Sequence, residues 1–188
     1  MHAEAPVNVE LADQIAERAH EGQVDKVGHP YIGHPRSVAG RLTDPDARVV
    51  ALLHDVIEDT TVTAEDLRAA GITDRQLEAI ETLTHADDVD NETYWRAVRA
   101  VPLARMVKIA DLADNCDPIR VARLEPATAE RLRGKYRRAL GVLLWDDSPD
   151  GLQPADQFAE FSAILEPSLP TLGRDVLEPP TGSADEVG

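Results

Sequence analysis

Little in this sequence offers covalent, aromatic or membrane support. Of 188 residues one is cysteine, Cys116, so no disulfide can form within the chain and a reducing, cytoplasmic setting is expected. Aromatic residues make up 4%, which leaves the core to Leu, Val, Ile and Ala. No apolar run approaches the roughly 20 residues of a membrane span, and residues 1–9 have neither the basic start nor the apolar middle of a secretory signal. Positive charge is also scarce. The chain has 19 Lys and Arg against 35 Asp and Glu, a formal net charge of −16, which argues against nucleic acid or an anionic membrane as a partner.

What is present is helical patterning. Apolar residues recur at three- and four-residue spacing over 11–22, 63–70, 74–84, 94–100, 103–117, 127–145 and 154–165. Thr63 and Asp66 fit a capping box, and Asp44 before Pro45 fits an N-cap and first helical position. No segment alternates apolar and polar residues long enough for a strand, and no internal repeat is visible. The expected architecture is all-α: a compact multi-helix bundle over 10–166, a flexible 1–9, and a disordered acidic tail over 167–188, where prolines and glycines accumulate. Neither a heptad seam nor an exposed apolar stripe is legible, so a monomer or small homo-oligomer is expected.

One stretch separates chemistry from packing. In VVALLHDVIED, residues 49–59, helical spacing puts Val49, Val50, Leu52, Leu53, Val56 and Ile57 on one face and His54, Asp55, Glu58 and Asp59 on the other. Three carboxylates and an imidazole on so apolar a helix repel one another and resist burial unless a cation sits among them. A divalent metal is the simplest candidate.

Ligands from elsewhere are offered by His34, fixed in the rigid setting PYIGHP, and by KIADLADN, residues 108–115. There Lys108, Asp111 and Asn115 share a polar stripe at i, i+3 and i+7. Asp111 can also simply pair with Lys108.

PYIGHP, HDVIEDT and VKIADLADN, in this order, resemble the hydrolase motifs of the RelA/SpoT alarmone enzymes, in particular the small free-standing hydrolases of the HD-domain phosphohydrolase superfamily. The resemblance covers about 11–138. It implies that His34, His54, Asp55 and Asp111 bind the metal, usually manganese in that family. It also implies that Glu58 and Asp59 orient or deprotonate the attacking water, and that Lys26, Asn115 and Tyr136 contact the nucleotide. The activity implied is a metal-dependent (p)ppGpp-type 3′-pyrophosphohydrolase, in which a metal-bound water releases pyrophosphate from an alarmone. The alternatives are an HD phosphohydrolase for another nucleotide or phosphate ester, and a non-catalytic nucleotide or metal sensor. Two departures bear on substrate: Asp25 stands where the family commonly has Arg, and Asp117-Pro118 where it has an Arg-Thr pair. A basic segment, 120–138, offers compensating charge.

Overall fold

The computed structural model describes residues 9–25, 28–149 and 151–180. Twelve helices follow one another through these residues: α1 (Val9–Ala19), α2 (Gly33–Gly40), α3 (Pro45–Leu53), α4 (Val56–Asp59), α5 (Ala64–Ala69), α6 (Asp74–Leu83), α7 (Asn91–Ala100), α8 (Pro102–Asn115), α9 (Pro118–Val121), α10 (Pro126–Leu143), α11 (Phe158–Leu165) and α12 (Leu169–Leu172). A two-residue antiparallel pair, β1 (Trp145–Asp146) with β2 (Gln153–Pro154), is the only sheet among the described residues. No helix there is long and apolar enough to cross a membrane.

The starts follow the local chemistry. The Asp44 carboxylate accepts from the Ala47 N–H ahead of Pro45, and Thr63 with Asp66, then Thr73 with Gln76, close reciprocal capping boxes. Asp90 caps α7 through the Glu92 and Thr93 N–H groups.

Two apolar helices form the centre. α3 buries Ala47, Val49, Val50, Ala51, Leu52 and Leu53 and packs on α1, α2, α6 and α8. α8 touches α2, α3, α6, α7, α10 and α11 and is buried along almost its whole length, acids included. Small residues at Ala51, Ala104, Ala110 and Ala113, each fully buried, let the backbones approach. Phe161 of α11 closes the opposite side, 1% exposed, with the Arg105 guanidinium 5.7 Å over its ring. Phe161→Ala is expected to cost about 3–5 kcal/mol through cavity formation, read as a lower midpoint in urea with an unchanged slope.

Two expectations are corrected. The stretch 49–59 is not one continuous helix. It breaks at His54 and Asp55, where the His54 Nδ1–H donates back to the Ala51 carbonyl at 2.8 Å and Asp55 takes φ −102°, ψ −1°. Nor is the segment after Glu166 a disordered tail as far as residue 180. A 3₁₀ turn (Glu166–Ser168) packs against α8 and α11, and α12 and a second 3₁₀ turn (Arg174–Leu177) pack against α10, burying Leu169, Leu172 and Val176. The Ser168 hydroxyl donates to the Ala113 carbonyl of α8 at 2.6 Å. Residues 1–8 and 181–188 of the expected flexible ends lie outside the described residues.

Candidate metal centre and cleft

Three elements converge on one buried cluster. The loop from Gln23 to Ile32 is pinned by a bridge between Val24 and Pro30 and by the Tyr31 N–H donating to the Gln23 carbonyl at 3.0 Å. Gly28 supplies the left-handed turn within it, at φ +85°. The loop delivers His34 to the first turn of α2. The break after α3 brings in His54 and Asp55, and α8 brings in Asp111.

His34 Nε2 lies 3.2 Å from Asp111 Oδ1 and 3.9 Å from Asp55 Oδ2, and His54 Nε2 lies 3.0 Å from Asp55 Oδ2. Donor atoms of His34, His54 and Asp111 all fall within 4.8 Å of one another. The four residues expected to share a metal are therefore neighbours, three buried and Asp55 half-buried.

The outer nitrogens decide what the inner ones can do. Asp114 Oδ2 lies 2.9 Å from His34 Nδ1, and the Ala51 carbonyl 2.8 Å from His54 Nδ1. Both partners are acceptors, so each ring carries a proton on Nδ1, and Nε2, which points at the carboxylates, is the nitrogen that would give up its proton to bind a cation. This donor set fits a divalent cation, with two imidazole nitrogens, two carboxylates and outer acceptors that fix the tautomers.

In the protein alone, protons and Lys108 supply the positive charge. Burial pushes the His34 imidazole down, but its hydrogen bonds with Asp111 and Asp114 lift it to about 9. His54 also rises against burial because Asp55 is beside it. Burial opposes ionisation of Asp55 and Asp111, yet His54 holds Asp55 below the usual range and Lys108, 3.0 Å away, holds Asp111 well below it. The Lys108 pairing anticipated as the plain reading of Asp111 is thus present alongside the cluster. Tyr31, whose hydroxyl donates to Asp55, is driven above its ordinary value by burial and that carboxylate.

Asp114 was not singled out in the sequence. Besides His34 it binds the Ser37 hydroxyl and Arg120 Nη1, the latter at 2.9 Å. Its one sequence signal is its position three residues after Asp111. Asp114→Asn is expected to weaken divalent-metal affinity about 10–100-fold with the fold retained, measured by metal titration monitored calorimetrically.

A cleft of about 890 Å³ opens over the cluster, lined by His34, Asp55, Glu58, Asp111, Asn115 and Tyr136 among others. Glu58 is exposed, and its Oε2 accepts the His85 N–H at 2.9 Å. Asp59 is exposed but outside the lining; its carbonyl accepts from the Gln23 side chain at 3.0 Å. Asn115 Nδ2 donates to Asp111 Oδ1 at 2.6 Å. Tyr136 is half-buried, and Lys26 lies outside the described residues.

The two family departures are locally engaged. Asp25 Oδ1 accepts the His29 N–H at 2.9 Å. Asp117 caps α9 through the Ile119 N–H and lies 3.5 Å from Arg41. Arg120 and Arg123 line the same cleft. Lys135, one turn from Arg131, is pushed down by burial and by its neighbours Lys108 and Arg131.

The helical fold has a counterpart among solved structures. A solved structure described as a metazoan orthologue of SpoT that hydrolyzes ppGpp superposes with a TM-score of 0.61, covering 84% of this chain and 93% of that one at 20% identity. In sequence, the chain is similar to bacterial enzymes named GTP pyrophosphokinase and guanosine-3′,5′-bis(diphosphate) 3′-pyrophosphohydrolase. It is 35% identical over 130 residues to a GTP pyrophosphokinase of Streptomyces coelicolor and 31% identical over 136 residues to a guanosine-3′,5′-bis(diphosphate) 3′-pyrophosphohydrolase of Aquifex aeolicus. These matches cover 62% and 66% of this chain, but 15% and 19% of those proteins. The enzyme of the latter name from Haemophilus influenzae is 52% identical over 58 residues. The chain thus spans less than a fifth of the length of these relatives. No family model matches it.

Proposed function

We propose that this chain is a metal-dependent phosphohydrolase that removes pyrophosphate from the 3′ position of a guanosine alarmone of the (p)ppGpp type. The observation that carries this reading is the inward-facing Nε2 pair of His34 and His54, held by Asp114 and Ala51 beside the Asp55 and Asp111 carboxylates. Those four residues would hold the cation, with manganese the ion expected. Bound there, a divalent ion lowers the pKa of a coordinated water and polarises a phosphoryl oxygen.

The chain's own residues supply the rest. Glu58, facing the cleft with Oε2 already engaged by His85, takes the water proton on its free oxygen. The water oxygen bonds to the phosphorus attached at the 3′ oxygen. The bond between that phosphorus and the 3′ oxygen breaks, pyrophosphate leaves, and the 3′ oxygen takes up the proton that Glu58 accepted to become the ribose hydroxyl. Asp59 lies outside the cleft lining, so Glu58 is assigned the base and Asp59 the electrostatic background. Arg120, Arg123 and Lys135 supply the attraction for phosphates that Asp25 and Asp117 do not, while Asn115 and Tyr136 face the nucleotide. The protein works as a cytoplasmic monomer or small homo-oligomer without a nucleic-acid partner.

A second reading, another nucleotide or phosphate ester, is favoured by one observation: Asp25 lines the cleft, and an acid there repels a polyphosphate. Both are tested with metal-loaded protein offered ppGpp, ppApp and NADPH, with products followed by phosphorus NMR. Pyrophosphate from ppGpp supports the first reading. Turnover of another substrate with none of ppGpp transfers the assignment, and inactivity on all three with metal bound removes both.

A further inference from the structure

Building on Glu58 as the proton acceptor proposed above, we propose that His85 is a positioning residue that holds the Glu58 carboxylate at the cleft, its backbone N–H bound to Glu58 and its imidazole locked onto Tyr94. Glu58 needs such a device. It lies near the end of the four-residue α4, its side chain is exposed, and the His85 N–H is the one hydrogen-bond partner of its carboxylate among the described residues.

His85 follows the last turn of α6, in the connection to α7, where a free loop would wander. Three contacts prevent that. The imidazole stacks on the Tyr94 ring, centroids 4.2 Å apart and planes inclined by 14°. Nε2–H donates to the Val89 carbonyl at 2.8 Å, closing the loop on itself. Tyr94 is itself buried, its hydroxyl donating to the Leu83 carbonyl at 2.7 Å across the α6–α7 junction.

The chain of contacts then reaches the metal cluster. Lys108 Nζ lies 5.4 Å from the Tyr94 ring centroid and 3.0 Å from Asp111. Glu58 and Asp111, which come from different elements, are therefore tied through His85, Tyr94 and Lys108. Holding a base within reach of its proton is worth large factors in rate, and a displacement of about 1 Å can cost about 100-fold. None of these three residues needs to touch the substrate.

His85→Ala is expected to lower kcat for pyrophosphate release from ppGpp by about 10–100-fold, with KM and bound metal unchanged. His85→Phe, which keeps the stacked ring and loses only the Val89 bond, recovers most of the rate. In a Glu58→Gln background, His85→Ala has little further effect, because there is no base left to aim. A general loss of packing would instead lower activity by the same factor in both backgrounds, and that result overturns the proposal. So does wild-type kcat in His85→Ala when Glu58→Gln is inactive, an outcome that leaves the Glu58 assignment intact. A metal-loaded wild type inactive on ppGpp sinks both. Independently of turnover and of how His85→Ala folds, the His85 amide proton resonance is expected to move upfield in Glu58→Gln, and an unmoved resonance also overturns the proposal.

Discussion

Glu58→Gln is expected to reduce pyrophosphate release about 10²–10⁴-fold, the usual worth of a positioned general base, while metal content and melting temperature stay at wild-type values. Three features of the site separate these readouts. Among the described residues Glu58 has no hydrogen bond or ion pair with His34, His54 or Asp111, so removing its charge leaves the cluster's own contacts in place. A glutamine carbonyl can still accept the His85 N–H, so the side chain keeps its place. What disappears is only the ability to take a proton. Asp59→Asn, outside the cleft lining, should cost much less. A Glu58→Gln protein that retains wild-type turnover would rule out Glu58 as the base.

Removing divalent metal should cost stability as well as activity. A cation bound only by the folded state at about 100 times its dissociation constant contributes about 2.7 kcal/mol. In a chain of this size that corresponds to about 5–10 °C in Tm, read by calorimetry before and after chelation. The physical origin is the charge balance of the cluster. Asp55 and Asp111 are held as carboxylates within 4 Å of His34, with Lys108 and the imidazoles' protons as the positive charge. A divalent ion replaces those protons with a stronger and better-directed charge. His54→Ala should abolish this metal-dependent shift, whereas Glu58→Gln should keep it. A Tm insensitive to chelation would mean that the cluster does not take up the ion.

The chemistry of the site was more legible in the sequence than its geometry. HDVIED announced itself because its polar positions hold only groups suited to metal binding or proton transfer, and His34, His54, Asp55 and Asp111 meet where the motifs led. The break between α3 and α4 left no signal. Neither His54 nor Asp55 is a helix breaker, and the local turn comes with side-chain contacts to Ala51 and Tyr31. Asp114 carries a weaker signal, because the stripe of Lys108, Asp111 and Asn115 implies a single polar face on α8. That helix is in fact buried nearly throughout, and its acids are matched by His34, Ser37, Arg120 and Lys108 arriving from other turns and elements.

His85 was invisible for a different reason: it binds Glu58 through its backbone, which any residue type can do. At the C-terminal end, prolines and glycines outweighed a weaker signal. Leu169, Leu172 and Val176 recur at helical spacing and bury against α10, with Arg137 paired to Asp175 to seal the contact. Composition described the average of that segment and missed its one apolar face.

The decisive measurement is a titration of chelator-treated protein with manganese while pyrophosphate release from ppGpp is followed, with His54→Ala alongside. Turnover that is absent without metal, rises to a stoichiometric plateau and never appears in His54→Ala is the expected result. Turnover that survives chelation, or that His54→Ala retains, would contradict a metal-dependent hydrolase built on His34, His54, Asp55 and Asp111.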